Sequence, residues 1–433
     1  MKNIISILTC AMLLMLTACS IDEVTDPNGV QLATLLENAE IGDLNALVNG
    51  TEARMRRSWD VYVTSTGSVS RELYLFDADP RNTEDLLGKE GASLDNNTFY
   101  LTAPYTTRYQ TVLNCNILLR ALENTPEGSA AQKDGYRGFA NTIKALMFLQ
   151  ELARLNTNGI RVDVADPENL GPILSKDAAY DAILDLLNTA YGQLQGAEFA
   201  FQLSSGFDNF DTPETFAQFN RAIAARAAIY AERYDQVQGF LDDSFLDDHS
   251  ALDLGPKHVF STASGDFLNP MFKAPQQSGD QIIVHDSIVN NIREDDARIS
   301  KFRLRNNPTS QDDLNGDYEL AIYESSTSPI SILRNEELIL IAAEANIQTG
   351  KLPDAVNYLN IIRNAYGLGN YTGPETEEAL TDEMLYHRTY SFFAEGHRMF
   401  DLRRYGLLNS TFLPIDREGD QVFTEFPLPL SEQ

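Results

Sequence analysis

The sequence predicts a mainly α-helical protein, a superhelix of about four stacked helix pairs with a large, irregular, loop-rich layer. Apolar residues recur with a helical period over about 33–57, 101–234 and 333–406. The period disappears over about 58–100 and 235–332, which are rich in Gly, Ser, Asp and Asn. Amphipathic helices cannot bury their apolar faces alone, so consecutive pairs must stack on their neighbours.

The clearest helix pair begins after residue 333. Apolar side chains from Leu338 to Ala345 recur at i, i+3, i+4 and i+7, and Gly350 ends this first helix. Pro353 suits the first turn of a second helix, which Gly367 ends. Because the turn is short, the two helices must pack antiparallel, with alanines at the contact. The pattern predicts a hairpin of the tetratricopeptide type.

Two further helices have clear boundary signals or periodicity. Thr212 can cap a helix whose first turn holds Pro213, and this helix runs into an alanine-rich segment. Another helix is predicted from Thr381 to Glu395. The segment 58–100 is predicted instead as loop with short extended pieces. The segment 235–332 is predicted as a functional or ordered loop layer.

The charge balance excludes some classes of partner. The chain has 433 residues, with 33 basic and 63 acidic side chains and a formal net charge of −30. A surface this acidic repels nucleic acid and anionic lipid. The sequence therefore argues against both as partners.

The N-terminus is predicted to be a lipoprotein signal peptide, residues 1–18. A short positive start precedes an apolar run from Ile4 to Leu16, the length of a signal-peptide core and too short to span a bilayer. Small residues stand directly before Cys19, which would carry lipid after cleavage. Residues 19–32 would then be a lipidated tether. Cys115 would be the one remaining cysteine in the mature chain, and it lies in a helical pattern that indicates a buried position.

The C-terminal helices resemble the signature of the SusD/RagB family of surface lipoproteins. The matching positions are Arg334, Glu337, Ala343, Glu344, Ala345, Gly350, Ala355, Asn360, Arg363, Glu395, Gly396, His397, Arg398, Phe400, Asp401, Leu402, Arg403, Arg404 and Gly406. His387-Arg388-Thr389 and Ser391 depart from the family pattern, at what we expect to be a helix-surface charge network. The resemblance implies a single SusD-like domain over 33–433.

The family also implies a location and a partner. Its members capture nutrients for a SusC-like TonB-dependent outer-membrane transporter, so we expect a chain anchored by lipid in the outer membrane. In the family's bacteria, acidic residues just after the lipidated cysteine accompany export to the cell surface. Asp22 and Glu23 match that pattern.

A sugar-binding site needs aromatic faces flanked by hydrogen-bonding side chains. The segment after the first helix supplies such residues, including Trp59, the only tryptophan of the chain. The candidate ligand-binding residues are Trp59, Tyr62, Arg71, Tyr74, Asp77, Asn96 and Tyr100. For Trp59, burial under the loops is an equal alternative.

No cofactor is predicted, apart from one weak calcium pattern. Asp313, Asn315, Asp317 and Glu324 have the spacing of calcium ligands, but Tyr318 stands where the loop requires glycine. A solvated acidic turn is the better interpretation.

The sequence favours binding over catalysis. The five histidines show no close metal spacing, and no nucleophile elbow or phosphate-binding loop occurs. We expect a non-catalytic protein that binds oligosaccharide or polysaccharide at the cell surface and delivers it to the transporter. The alternatives are a peptide-binding lipoprotein of the RagB type and, less favoured, an all-helical surface glycosidase.

Overall fold

The structure, a computed structural model, describes residues 32–249 and 251–433. The predicted signal peptide, Cys19 and almost all of the tether lie outside these residues. In the described part of the chain, no helix is both long enough and apolar enough to cross a bilayer.

Helices form most of the regular structure, which confirms the predicted fold class. The first eight are α1 (Leu32–Asn38), α2 (Ile41–Met55), α3 (Trp59–Val69), α4 (Phe99–Asn124), α5 (Ala130–Leu155), α6 (Lys176–Leu194), α7 (Pro213–Tyr230) and α8 (Tyr234–Asp242). The later ones are α9 (Asp286–Asn291), α10 (Asn335–Gln348), α11 (Leu352–Ala365), α12 (Glu377–Ser391) and α13 (Arg398–Arg404).

The predicted helix boundaries follow the local backbone signals. The Thr212 hydroxyl accepts the backbone N–H of Thr215, and Pro213 is the first residue of α7. Gly350 and Gly367 follow α10 and α11 with φ of 74° and 87°, a conformation that favours glycine. The predicted helix from Thr381 to Glu395 is α12, which begins earlier and ends at Ser391.

Consecutive helices pack on one another. Helix α4 packs on α5, α5 on α6, α6 on α7, and α10 on both α11 and α12. Alanines of α7 that are fully buried, such as Ala224 and Ala228, let neighbouring helices approach closely. The finer assignment of these pairs as tetratricopeptide repeats stays a prediction.

The predicted loop 58–100 contains a helix, and this part of the prediction is wrong. The hydroxyls of Thr64, Ser65 and Thr66 donate to the backbone carbonyls four residues earlier, which satisfies them inside α3. Residues 62–69 are all buried, so α3 has no continuous polar face. Without that face the amphipathic period is absent, and the sequence pattern conceals the helix.

The two loop-rich segments meet in an antiparallel sheet with the strand order β1-β5-β7-β6. The strands of this sheet are β1 (Leu73–Phe76), β5 (Gln281–Val284), β6 (Phe302–Gln311) and β7 (Leu314–Leu320). Short two-residue strands, β2 (Ile160–Arg161) with β3 (Ile173–Leu174) and β4 (Lys257–His258) with β8 (Ile330–Ser331), form two further pairs. The predicted layer is therefore a sheet with attached loops, together with α3, α8 and α9.

The positions that depart from the family pattern are inside the protein. His387 and Arg388 are 0% and 2% exposed, and the Ser391 hydroxyl accepts a hydrogen bond from Arg298 at 3.0 Å. The prediction that this network lies on a helix surface is wrong. This part of α12 is covered because Arg298 from the loop layer packs on it.

Glu72, which precedes β1, is a buried carboxyl with a strongly shifted pKa. Burial raises the pKa of Glu72 from 4.5 to about 8, and the attraction of Arg398 offsets only part of this rise. Glu395 and Lys301 are the other charged groups that act on it. Glu72 is therefore protonated in the folded protein at pH 5 and ionised in the unfolded chain above about pH 4.3.

We expect Glu72→Gln to stabilise the protein more at pH 8 than at pH 5. The folded-state pKa is raised, so the stability that protonated Glu72 contributes is complete below the unfolded pKa and is lost as the pH rises through about 8. Urea denaturation of both proteins at the two pH values measures the difference in free energy of unfolding. Other titrating groups contribute equally to both proteins and cancel. If the stability gained by Glu72→Gln were no larger at pH 8 than at pH 5, the raised pKa of Glu72 would be contradicted.

Candidate ligand-binding surface

Five of the seven candidate ligand-binding residues lie in the core. Their exposed fractions are 5% for Trp59, 4% for Tyr62, 0% for Arg71, 3% for Tyr74 and 0% for Tyr100. A sugar stacks on the open face of an aromatic ring, and these rings are covered by protein. The structure therefore does not bring these five side chains to a surface that a ligand can reach.

The buried aromatic residues stabilise the junction between helices and loops. Trp59 stacks on Tyr62 with ring centroids 5.2 Å apart, and the Arg108 guanidinium lies 4.9 Å from the Tyr62 ring. The Tyr100 hydroxyl donates to the Asp85 carboxylate at 2.9 Å. Such contacts fix the loops that follow α3 against the helical core.

Arg71 attaches distant segments to the sheet. Its guanidinium donates to the backbone carbonyls of Leu87 at 3.3 Å and Gln421 at 2.9 Å. Tyr74, three residues along, stacks on Phe76 with ring centroids 5.8 Å apart. These two candidates therefore position the loop layer from inside.

Asp77 and Asn96, the remaining two candidates, are half-buried, and a series of hydrogen bonds leads from Asp77 to Thr98, two residues after Asn96. The Asp77 carboxylate accepts hydrogen bonds from the backbone N–H of Asp79 at 2.9 Å and from Asn82 at 3.0 Å. Asp79 accepts two hydrogen bonds from Arg81, at 2.9 and 2.6 Å. Arg81 in turn donates to the Thr98 hydroxyl at 2.8 Å, close along the chain to Asn96.

We call the surface formed by Asp77, Asp79, Arg81, Asn96 and Phe99 the Arg81 surface. The Arg81 side chain is 47% exposed and its guanidinium lies 5.0 Å from the Phe99 ring centroid. The hydrogen bond from Arg81 lowers the pKa of Asp79, which keeps that carboxylate ionised. Among the described residues, the Asn96 side chain has no hydrogen-bond partner. The surface thus offers a planar cation, a carboxylate and a free amide.

The sequence analysis missed Asp79, Arg81 and Phe99. The aromatic candidates from the sequence are tryptophan and tyrosine residues. The exposed planar group of this surface is instead the Arg81 guanidinium, which lies against the Phe99 ring. The available signal was the segment Asp79-Pro80-Arg81, since Asp before Pro is typical of a turn that starts a short helix. Asp79 accepts the backbone N–H of Arg81 at the start of the 3₁₀ turn Pro80–Asn82.

A second surface feature is an open cleft of about 740 Å³ between α2, residues 200–207, β4 and Asp266. Arg56 forms an ion pair with Asp266 in this cleft and lies 4.4 Å from the Phe267 ring centroid. Burial raises the pKa of Glu52, one turn before Arg56 on α2, although hydrogen bonds from Ser204 lower it in part. The cleft has a mixed polar and apolar lining, and two of its rings, Phe201 and Phe207, are buried.

The calcium pattern falls on a β-hairpin. Asp312 and Asp313 form the two-residue turn between β6 and β7, with φ of 53° and 60°. Asn315 and Asp317 are exposed positions on β7, and Glu324 lies beyond that strand. Within residues 32–249 and 251–433, no group of three or more His, Cys, Asp or Glu side chains is arranged to hold a metal ion.

Comparison with known families gives a match at the C-terminal signature. The model described as "SusD family" matches residues 311–429, which include α10 to α13. No curated protein sequence is significantly similar to the chain.

Several solved structures share the fold along nearly the whole chain. A SusD superfamily protein from Bacteroides vulgatus has 16% identity and a TM-score of 0.69, covering 91% of this chain and 96% of its own. Surface glycan-binding protein A from Bacteroides thetaiotaomicron has 15% identity and a TM-score of 0.71, covering 90% and 96%. The structure of that protein in complex with laminarihexaose has 14% identity and a TM-score of 0.68, covering 86% of this chain and 92% of its own.

The family match falls on the signature helices α10 to α13, and the fold agrees over about nine-tenths of the chain. The predicted family is therefore confirmed. Residues 311–429 match the SusD family, and the described chain has the fold of SusD superfamily structures.

Proposed function

We propose that the protein is a non-catalytic, lipid-anchored glycan-binding protein of the cell surface that delivers oligosaccharide to a SusC-like TonB-dependent outer-membrane transporter. The main support is the shared fold with surface glycan-binding protein A, a protein solved in complex with laminarihexaose. The transporter and the outer-membrane location come from the family, and the lipid anchor comes from the Cys19 signal.

The Arg81 surface is the proposed ligand contact. Neutral sugars present hydroxyl edges and apolar ring faces. The Asp77 carboxylate and the Asn96 amide suit the hydroxyls, and the Arg81 guanidinium stacked near Phe99 offers a flat face. Because Asp79 and Thr98 already hold Arg81 in place, little side-chain freedom is lost on binding. The bound glycan would be held and released intact.

A peptide ligand is the second candidate, and one feature of the sheet favours it. Strand β6 is at the edge of the sheet. The Gln276 side chain already pairs with this edge, accepting from the Asn306 N–H at 2.8 Å and donating to the Leu304 carbonyl at 3.3 Å. An extended peptide backbone would make the same two bonds.

Calorimetry against a panel of polysaccharides, oligosaccharides and a peptide digest separates these candidates. We expect a neutral glycan to bind and the peptides not to bind. Binding of peptide alone would replace the glycan proposal. Shortening of any glycan that depends on this protein would contradict the proposal that it is non-catalytic.

We expect Arg81→Ala and Asn96→Ala to weaken binding of the glycan found in that panel at least about tenfold, because each removes a polar contact to the ligand. Arg137→Ala is the matched control, since Arg137 also forms an exposed ion pair, with Asp134 at 2.7 Å. Exposed pairs contribute at most about 1 kcal/mol to stability, so all three variants should fold. Unchanged affinity in both test variants would place the glycan elsewhere, the cleft beside Glu52 being the next surface to mutate.

We expect Cys19→Ala to release the protein from membranes. A lipoprotein carries more than one acyl chain, and each buried CH₂ adds about 0.8 kcal/mol of membrane affinity. Cell fractionation, with mass spectrometry of the mature N-terminus, measures the anchoring. Wild-type protein that stays soluble, or a variant that stays in the outer-membrane fraction after a salt wash, would contradict the lipid anchor.

A further inference from the structure

A small pocket lies where the start of α6 meets the ends of α5 and α7 and helix α13. Its volume is about 240 Å³, and the polar side chains that line it are Asn156, Lys176, Tyr180, Glu232, Arg403 and Arg404. It is separate in sequence and structure from the Arg81 surface and from the cleft beside Glu52. No predicted site residue belongs to it.

Two cations of this pocket lack an acidic partner. Among the described residues, Lys176 and Arg403 form no ion pair, although the chain has 63 acidic and only 33 basic side chains. Arg403 donates instead to the backbone carbonyls of Ala153 at 2.6 Å and Thr424 at 3.1 Å. These bonds fix the guanidinium without forming an ion pair.

Two carboxylates, Glu425 and Glu232, lie near these cations without forming an ion pair with them. Glu425 acts electrostatically on Arg403, but its oxygens accept hydrogen bonds from Asn156 at 2.9 Å and from the Thr157 backbone N–H at 3.0 Å. Arg404, in contrast, is balanced by ion pairs with Glu344 and Asp401. Glu232, the carboxylate that lines the pocket, is exposed and forms no ion pair with them. Lys176 and Arg403 are therefore the two cations of the pocket without an ion-pair partner among the described residues.

Two buried polar atoms of the lining residues have no partner among the described residues. The Nε of Arg404 is a donor without an acceptor, and the Oδ1 of Asn156 is an acceptor without a donor. A buried N–H of a charged group that lacks an acceptor is costly. A bound group with oxygen acceptors would remove that cost for Arg404.

The backbone adds further positive potential. Lys176 is the first residue of α6, a helix of 19 residues, so the unpaired N–H groups of the first turn lie beside the pocket. The helix N-terminus, the two cations without an ion pair and the orphaned Arg404 N–H all favour an anion.

We propose that this pocket binds the oxyanion group of a small acidic ligand, a carboxylate, sulfate or phosphate, with Lys176 and Arg403 as its charge partners. Glu232 is exposed at the mouth of the pocket and can accept hydrogen bonds from ligand hydroxyls. A sugar acid or a sugar ester combines both groups. This site does not depend on the glycan assignment of the Arg81 surface.

Calorimetry at fixed ionic strength and pH 7 tests the pocket with sodium glucuronate, sodium sulfate and glucose. We expect glucuronate, sulfate or both to bind at one site and glucose not to bind. Binding of sulfate without glucuronate assigns the site to inorganic oxyanions. Absence of binding by both anions, or equal binding of glucose, would overturn the proposal.

Substitutions at the two cations locate the bound anion. We expect Lys176→Gln and Arg403→Gln each to weaken anion binding at least about tenfold, the effect of losing a hydrogen bond to a charged group. Lys351→Gln is the control, because Lys351 also stands at the start of a helix, α11, but outside the pocket.

Lys176 makes no hydrogen bond to the described residues, so its variant should fold even if Arg403→Gln does not. Thermal unfolding of each variant without ligand checks this. Anion affinity that is unchanged in a folded Lys176→Gln protein would exclude the pocket as the binding site.

Discussion

A set of four buried charges fixes the C-terminal helices. Arg388 on α12 donates to Asp401 on α13 at 2.8 Å, and Arg404 pairs with both Asp401 and Glu344 on α10. These side chains are at most 5% exposed. Burial raises the pKa of Asp401, but Arg388 and Arg404 outweigh it and hold this pKa below its usual value. Because each charge needs its partners, the three helices can pack in only one register.

The loop layer is built on α10, α12 and α13 with their four buried charges, which together we call the frame. Helix α13 packs on α3, and Arg398 at its start donates to the Ser70 carbonyl at 3.3 Å. Gly396, just before α13, allows close approach, since a Cβ there would lie 2.8 Å from the Tyr62 ring. Arg71 then joins the layer to distant segments, so the loops with the Arg81 surface stand on rigid elements, which lowers the entropy lost on ligand binding.

Local sequence signals predicted most helices and the position of the loop-rich layer, but not helix α3 or the long-range contacts that build the layer. Gly350, Gly367 and Thr212 mark boundaries through backbone conformation and capping, which depend on near neighbours in sequence. The sequence left Trp59 open between a ligand contact and a buried position, because its burial depends on packing against α4 and β4, far along the chain. An arginine such as Arg71 is usually exposed. Its burial here depends on the Gln421 carbonyl, which is remote in sequence and becomes a neighbour only in the folded chain.

The frame is tested most directly by the free energy of unfolding of Asp401→Asn compared with Asp134→Asn. Asp134 forms an ion pair of similar length with Arg137, but its side chain is 44% exposed. Removing one partner of a buried pair costs about 3–5 kcal/mol, whereas an exposed pair contributes at most about 1 kcal/mol. The account predicts a loss in that larger range for Asp401→Asn alone, measured by urea denaturation at pH 7. An equally small loss in both variants would contradict it.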